Sequence, residues 1–250
     1  MAKPAKRQRL DQLLVAREFA STRSRARDLI LTGAVSVDGQ TVTKPGEQVS
    51  EDQPLSVDDD ARPYVSRSGV KLAAALDAFD FSAQNRTALD LGASTGGFTQ
   101  VLLDRGAARV YAVDVGHGQL HPLLAGDPRV VSLEGRDARD LDASLIGEPV
   151  TAVVADLSFI SLTLSLPAAL GLVVPGAWLV ALIKPQFELE RKALGKGGIV
   201  RDAAARERAV EKVRAWLATQ HGWRISGVMP APIEGARGNQ EYLIGAERAA

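Results

Sequence analysis

The sequence predicts an α/β protein in which a doubly wound sheet follows a small α+β domain. Apolar, strand-like runs alternate with helical patterns through the second part of the chain, and a glycine-rich stretch at 92–97 follows the first of these runs. A basic N-terminal part is separated from them by the acidic segment 51–63. We therefore expect a first domain over residues 1–60, a linker over 61–66 and a second domain over 67–250.

The composition excludes several classes of protein. With 250 residues, 46% of them hydrophobic, the chain is long enough for one large core and one small one. It has no cysteine, so disulfides, thiolate metal sites and thiol nucleophiles are excluded. The three histidines lack the carboxylate pattern of a metal motif, and we expect no metal. Without a membrane-length apolar run or a secretory core segment, the sequence predicts a cytoplasmic protein that does not bind a membrane.

The first domain is predicted to contain two short helices and a hairpin. Helical spacing covers residues 10–19 and 22–31; Ser21 can cap the second helix and Gly33 can end it. The valine-rich run that follows can turn at Asp38-Gly39. The acidic segment after this hairpin has few strand-forming residues and is predicted to be a tail that leads into the linker.

Positive charge is concentrated in this first domain. Residues 1–50 contain nine basic and five acidic side chains, although the formal net charge of the chain is zero. The arginine-bearing helix and the Val-Ser-Val-Asp-Gly run within residues 24–39 resemble the alpha-L RNA-binding motif of a small-subunit ribosomal protein. This resemblance implies RNA contacts by Arg7, Arg23, Arg25 and Arg27. A basic helical hairpin that is merely solvated is the alternative.

The second domain is organised around a strand, a glycine-rich loop and a helix that begins near Phe98. The loop, Gly92-Ala-Ser-Thr-Gly-Gly97, lacks the Gly-x-Gly-x-x-Gly spacing of dinucleotide sites. Asp90 before the loop and Asp114 at the end of the next strand instead favour S-adenosylmethionine. Asp90 can meet the cationic end of this cofactor, and Asp114 can meet its ribose hydroxyls. A plain strand–turn–helix with capping residues is the alternative. The predicted cofactor contacts are Asp90, Gly92, Ser94, Thr95, Gly96, Gly97, Phe98, Asp114 and, near the adenine, Asp137.

The remaining elements follow in chain order. Continuous apolar runs, typical of parallel strands covered on both faces, are expected to form strands at 110–115, 130–133, 150–156 and 177–184. Helices are predicted up to residue 81 and at 159–170 and 202–220, and two closing strands at 223–229 and 241–246. The glycine-bearing segment 186–200 is predicted to be a mobile lid.

Two of the apolar runs end in a charged side chain, one in Asp156 and the other in Lys184. A salt bridge between neighbouring strand ends would explain them, and so would a lysine base held by acids. The set Lys71, Asp156, Lys184 and Glu241 resembles the Lys-Asp-Lys-Glu tetrad of FtsJ-like ribose 2′-O-methyltransferases. The stretches at 93–99, 155–161, 184–188 and 238–242 resemble the TlyA family, whose members include proteins named haemolysins.

This resemblance covers about residues 6–244 and implies a Rossmann-like methyltransferase domain joined to an RNA-binding domain. It implies methyl transfer from S-adenosylmethionine to a ribose 2′-hydroxyl of ribosomal RNA. Lys184 would be the base, Asp156 would orient it, and Lys71 and Glu241 would position the ribose. Two alternatives stay open: an RNA-binding ribosome assembly factor or haemolysin-like protein without methyl transfer, and a methyltransferase of bases, proteins or small molecules.

Overall fold

The computed structural model describes residues 7–20, 22–31, 33–58, 64–235 and 238–249. They belong to two compact units, Met1–Arg67 and Ser68–Ala250. The predicted helix cap Ser21 and the first half of the predicted linker lie outside the described residues.

The first unit consists, in its described part, of two helices and five short strands. These are β1 (Arg7–Arg9), α1 (Leu10–Ala16), α2 (Arg23–Leu31), β2 (Val35–Val37), β3 (Gln40–Thr41), β4 (Gln48–Ser50) and β5 (Leu55–Val57). β2 pairs antiparallel with β3 and β5, and β1 pairs antiparallel with β4. Leu13, Leu29 and Val35 belong to one buried core that holds the helices to the strands.

The acidic segment of this unit corrects one prediction. It contains the strand β5, although few strand-forming residues were recognised there. Leu55 and Val57 are partly buried against the core while Ser56 between them is exposed, which is the alternation of a half-buried strand. Three residues of alternating pattern are too few to stand out among acidic neighbours.

The second unit is built on a seven-stranded sheet, so the predicted doubly wound Rossmann-like fold is confirmed. Its strands are β6 (Thr87–Leu91), β7 (Arg109–Asp114), β8 (Val130–Glu134), β9 (Val150–Ala155), β10 (Val173–Ile183), β11 (Trp223–Pro230) and β12 (Tyr242–Arg248). They lie in the order β11-β12-β10-β9-β6-β7-β8. β10, β9, β6, β7 and β8 are parallel, whereas β12 runs antiparallel to both of its neighbours, so the sheet is mixed.

Seven α-helices accompany this sheet in the described residues. They are α3 (Ser68–Phe79), α4 (Gly97–Asp104), α5 (Pro122–Ala125), α6 (Ala143–Ile146), α7 (Leu162–Leu172), α8 (Pro185–Glu188) and α9 (Ala203–Ala218). The central strands β6, β9 and β10 are almost wholly buried, as their continuous apolar runs predict. The predicted lid over 186–200 is partly structured, because α8 and two short 3-10 turns lie within it.

The strand register brings the charged strand ends to one edge of the sheet. Asp156 and Lys184 directly follow the parallel strands β9 and β10. Glu241 directly precedes β12, which runs the other way and therefore begins at the same edge. Ile183 pairs with Tyr242 in the antiparallel ladder, so Lys184 and Glu241 occupy the next opposed position. All three side chains thus belong to the edge where ligands bind in open α/β sheets.

Candidate active site

The glycine loop is held close to the neighbouring strand end. Gly92 has a φ of +81°, and a Cβ there would lie 2.7 Å from the backbone oxygen of Asp156. Its N–H donates to the carbonyl of Val113. Gly96 has a φ of +98°, and a Cβ there would overlap the side chain of Leu124. Both positions therefore require glycine for backbone conformation and packing against the protein itself.

Asp114 fixes this loop to the end of β7. Its carboxylate accepts the N–H groups of Ser94 and Gly116, each at 2.8 Å. Glu134, which the sequence reasoning missed, does the same for the next loop by accepting the N–H groups of Gly118 and Gln119 at 2.7 and 2.9 Å. These N–H donors lower the pKa of Glu134. An acid at the end of a strand could have identified Glu134, but this strand was predicted to end at residue 133, one residue before it.

Asp90 is fully buried and has one carboxylate oxygen in use. Its Oδ2 accepts a 2.6 Å hydrogen bond from Thr99, whereas its Oδ1 has no hydrogen-bond partner among the described residues. Burial raises the pKa of Asp90 to about 7, and the negative charge of Asp156 adds to this rise. The hydrogen bond from Thr99 lowers the pKa but does not outweigh burial. A cation at Oδ1 would satisfy this group. The residues present therefore fit the cationic end of S-adenosylmethionine.

The other predicted cofactor residues have varied surroundings. Thr95 accepts the N–H of His121 through its carbonyl at 3.1 Å, and Phe98 is 2% exposed in the core. Asp137 lies past β8, but its carboxylate is held by Arg139 through a side-chain contact at 2.6 Å and a backbone N–H at 2.9 Å. Arg139 lowers the pKa of Asp137, which is therefore ionised and internally paired. Gly97 is the first residue of α4.

The predicted tetrad forms two ion pairs. The Nζ of Lys71, in the first turn of α3, lies 2.5 Å from Glu241 Oε2, and these side chains are only 5% and 2% exposed. The Nζ of Lys184 lies 2.7 Å from Asp156 Oδ1, with exposures of 12% and 18%, and it donates to Ser158 Oγ at 2.8 Å. The second pair is the one that solvent and substrate can reach more easily.

A buried polar network next to these pairs was not predicted. Glu188, at the end of α8, accepts hydrogen bonds from the hydroxyl of Ser161 and the N–H of Leu162, and it pairs with Lys212 of α9 at 3.2 Å. The stretches 155–161 and 184–188 were singled out as family motifs, but nothing in the sequence around Glu188 indicated that its carboxylate is buried.

Two further features of the site were also missed. Phe159 is 89% exposed with a φ of +67°, and its ring centroid lies 5.0 Å from that of Phe187. Asn239 is buried, accepts the N–H of Val200 at 3.0 Å and donates to the carbonyl of Gly198 at 3.2 Å. Asn239 therefore ties down the far end of the segment that was predicted to be a mobile lid.

The arginines of the first unit are organised around a buried acid. Asp11 is fully buried, and its carboxylate contacts Arg9 at 2.9 Å and Arg23 at 3.0 Å. Arg7 is exposed and donates to the carbonyl of Gln48. Two of the predicted RNA contacts, Arg7 and Arg23, therefore retain exposed guanidinium groups.

The other two predicted RNA contacts differ in exposure. Arg25 is buried and donates to the carbonyl of Val65, which is the position of a structural arginine. Arg27 is half-buried.

The described residues contain neither a membrane-spanning helix nor a metal-binding cluster. None of their helices is long and apolar enough to cross a membrane. They also contain no group of three or more histidine and acidic side chains arranged to hold a metal ion.

Comparisons with known proteins agree with this architecture. The FtsJ-like methyltransferase family matches residues 64–248, and the S4 domain matches residues 8–54. The chain is 48% identical to the 16S/23S rRNA (cytidine-2′-O)-methyltransferase TlyA of Mycobacterium tuberculosis over 96% of this chain and 90% of that protein. It is 41% identical to Hemolysin A of Brachyspira hyodysenteriae, covering 94% of this chain and 98% of that one. A solved structure of a hemolysin-named protein from Streptococcus thermophilus superposes with a TM-score of 0.76 at 39% identity, covering 99% of this chain and 90% of that one.

Proposed function

The chain belongs to the TlyA family of S-adenosylmethionine-dependent ribosomal RNA 2′-O-methyltransferases, in which an S4 RNA-binding domain precedes an FtsJ-like methyltransferase domain, and on that premise we propose that it methylates cytidine ribose in ribosomal RNA. The Mycobacterium tuberculosis relative is named for cytidine and for the RNA of both subunits. The observation that carries the chemistry is the 2.7 Å contact between Lys184 and Asp156 at the ligand-binding edge of the sheet.

Cofactor binding is assigned to the loop and acids around β6 and β7. When bound, S-adenosylmethionine supplies a methyl group on a sulfonium centre, whose leaving group is a neutral thioether. Asp90 offers a carboxylate oxygen without a hydrogen-bond partner to the cationic amino group. Asp114, which already accepts the N–H groups of Ser94 in the loop and Gly116 after β7, retains lone pairs for ribose hydroxyls. Asp137 stays a proposed adenine contact.

Lys184 is the proposed base that takes the proton of the ribose 2′-hydroxyl. Asp156 holds its amine in place and stabilises the ammonium that forms on proton uptake. Glu241 lies opposite Lys184 in the strand register, but its charge is balanced by Lys71 at 2.5 Å. The Lys71–Glu241 pair thus leaves Asp156 as the carboxylate that pairs with Lys184.

Alignment of the reacting groups is the larger part of the proposed rate enhancement. General-base catalysis contributes roughly a hundredfold to ten-thousandfold. Well-oriented reacting groups reach effective molarities of about 10⁵ M or more. The exposed ring of Phe159, three residues after Asp156, offers a surface on which an RNA base can stack and so orient its ribose.

Docking of the RNA is assigned to the first unit. Arg7 and Arg23 present exposed guanidinium groups, and Arg27 lies on the same helix as Arg23. Guanidinium groups suit phosphate because they donate two hydrogen bonds in one plane. Ribosomal subunits as substrate also agree with the cytoplasmic location that the sequence predicts.

The test is incubation of unmodified ribosomal subunits with S-adenosylmethionine labelled in its methyl group. We expect label in ribosomal RNA at a cytidine, mapped by reverse-transcription stops at limiting nucleotide. Label in ribosomal protein, or in RNA bases, would overturn the proposal. Tight RNA binding without any transfer would instead support an assembly factor.

A further inference from the structure

Two chain segments at the carboxyl edge of the sheet are joined at both ends. The first runs from Asp156 to Ser161 after β9, and the second runs from Lys184 to Glu188 after β10. At one end the Lys184 amine contacts Asp156 and Ser158. At the other end the Glu188 carboxylate accepts the hydroxyl of Ser161.

The far junction is the more buried of the two. The Glu188 side chain is 1% exposed and also accepts the N–H of Leu162 at 2.8 Å. Lys212 contacts the carboxylate at 3.2 Å, the carbonyl of Glu188 at 2.8 Å and the Ser161 hydroxyl at 3.2 Å. A buried carboxylate is costly unless it is fully hydrogen-bonded and paired, so these contacts define a single position for Glu188.

The short helix α8 transmits that position to Lys184. Lys184 is the residue that precedes α8, and its carbonyl accepts the N–H of Phe187 at 2.9 Å. Glu188 is the last residue of the same turn. Fixing Glu188 therefore fixes the turn, and with it the backbone from which the Lys184 side chain extends.

We propose that Glu188, Ser161 and Lys212 form a positioning clamp that sets the Lys184 amine against Asp156. The assignment rests on the proposed role of Lys184 as base. The clamp residues make no contact with the Lys184 amine or the Asp156 carboxylate among the described contacts, and they act through the backbone of the two segments. The Lys184–Asp156 contact is partly exposed, so water competes for it, and the clamp supplies the fixed geometry that this pair lacks by itself.

A matched variant on the opposite edge of the sheet makes the clamp testable. Glu148 accepts hydrogen bonds from Tyr111 at 2.7 Å and Thr87 at 3.1 Å and pairs with Arg109 at 3.0 Å. Glu188→Gln and Glu148→Gln each remove one carboxylate charge that is paired with one cation and accepts two further hydrogen bonds, although Glu148 is 34% exposed and Glu188 1%. Only the first of these networks joins the segments that bear Asp156 and Lys184.

Methyl transfer to ribosomal subunits is measured for both variants at equal intervals below their own melting temperatures. We expect Glu188→Gln to lower kcat about a hundredfold, the effect of a misplaced reacting group, with KM for cofactor and RNA within about twofold of wild type. Glu148→Gln should keep kcat within about twofold. Ser161→Ala, which leaves the buried charge pair intact, should fall between them, and Lys212→Arg should retain most activity where Lys212→Met does not.

Equal kcat in the two glutamine variants, with an active wild-type enzyme, would overturn the clamp. Hydrogen exchange of the same proteins provides a readout that does not depend on methyl transfer. In Glu188→Gln we expect faster exchange confined to residues 156–161 and 184–189, and no change there in Glu148→Gln. If wild-type protein transfers no methyl group, the proposed function fails, and unchanged exchange in Glu188→Gln would separately reject the clamp.

Discussion

Asp11 of the first unit and Asp90 of the second are both fully buried aspartates, and the pKa values of their carboxyl groups are shifted in opposite directions. Burial alone would raise the pKa of Asp11, but Arg9 and Arg23 outweigh it and hold that pKa below its usual range. No cation of the chain pairs with Asp90 in the described contacts, and burial raises its pKa to about 7. The carboxylate of Asp11 has its counter-charges within the protein. The carboxylate of Asp90 lacks a counter-charge, and a bound ligand can supply one.

The same contrast extends to the cations of each unit. Arg9 and Arg23 are 41% and 56% exposed, whereas Lys71 and Lys184 are 5% and 12% exposed. Arginine keeps its proton in proteins, which suits lasting contact with phosphate, and lysine can release one. The difference supports the proposal that the first unit docks the RNA and that proton transfer takes place at the sheet edge.

Replacing the proposed base should have the largest effect. We expect Lys184→Ala to lower methyl transfer by about a hundredfold to ten-thousandfold, because proton abstraction is lost. Lys184→Arg should be equally inactive, since a guanidinium group does not deprotonate in proteins. Single-turnover rates with labelled cofactor measure the loss.

Calorimetry of S-adenosylmethionine binding is the control for this prediction. Cofactor affinity should match that of wild type in both variants, because neither removes a cofactor contact. An arginine variant with near-normal turnover would show that Lys184 only positions the substrate, and the division between docking arginines and a titrating lysine would fail.

The more buried ion pair should matter most for stability. Glu241→Gln leaves Lys71 as an unpaired charge at 5% exposure, and we expect the free energy of unfolding to fall by about 3–5 kcal/mol. Asp156→Asn should cost clearly less, because Lys184 is more exposed and retains Ser158 as a partner. Urea denaturation at neutral pH compares the two. Equal losses would mean that burial does not distinguish the pairs.

Much of the fold was predictable because the signals were long and periodic. The continuous apolar runs of β6, β9 and β10 identify buried parallel strands, and their charged ends fall at one edge by the geometry of such sheets. β5 was missed because a three-residue strand carries almost no period. The mobile lid at 186–200 stays a prediction, and its glycines could not indicate that Asn239, far along the chain, accepts the N–H of Val200 at the end of this segment.

The candidate site was predictable in its residue types but only partly in its pairing. The contact of Lys184 with Asp156 was predictable as a salt bridge between neighbouring strand ends, whereas no local pattern indicated that Lys71 pairs with Glu241, 170 residues along the chain. Gly96 was predicted only as a cofactor contact, and its packing against the protein was not foreseen, since a side chain there would overlap Leu124. Contacts between residues that are distant in the sequence determine both the ion pairs and the packing around Gly96.

The pH dependence of the second unit should report Asp90. Its pKa of about 7 in the folded protein lies above the unfolded value of 3.8, so the folded state retains a proton that unfolding releases. The free energy of unfolding of the cofactor-free protein should therefore fall by up to about 1.4 kcal/mol per pH unit as pH rises between these values. Thermal denaturation across this range measures the slope, and Asp90→Asn should remove it.

Cofactor affinity should change with pH in the opposite direction. A cation prefers the ionised carboxylate, so binding should tighten as pH rises towards about 7 and level off above it, with a proton released on binding below that pH. Calorimetry in buffers of different ionisation enthalpy counts that proton. Asp11→Asn, at the other buried aspartate, should leave the cofactor isotherm unchanged. A pH-independent affinity would mean that Asp90 does not meet the cofactor's cation.

The smallest expected effect is that of a single docking arginine. Arg23→Ala should weaken ribosomal RNA binding by about tenfold or less and reduce the salt slope of the affinity by about one, as loss of one phosphate contact does. Arg224→Ala is the matched control, because Arg224 is 82% exposed and paired with Glu247 on the large sheet, outside the first unit.

Arg25→Ala separates structure from docking, since a buried arginine bonded to the Val65 carbonyl should affect stability more than the salt slope. Filter binding at several salt concentrations gives the slopes, with cofactor affinity unchanged for Arg23→Ala. If Arg224→Ala lowered the slope as much as Arg23→Ala, RNA docking would not be confined to the arginines around Asp11, because exposed arginines of the large sheet would then share it.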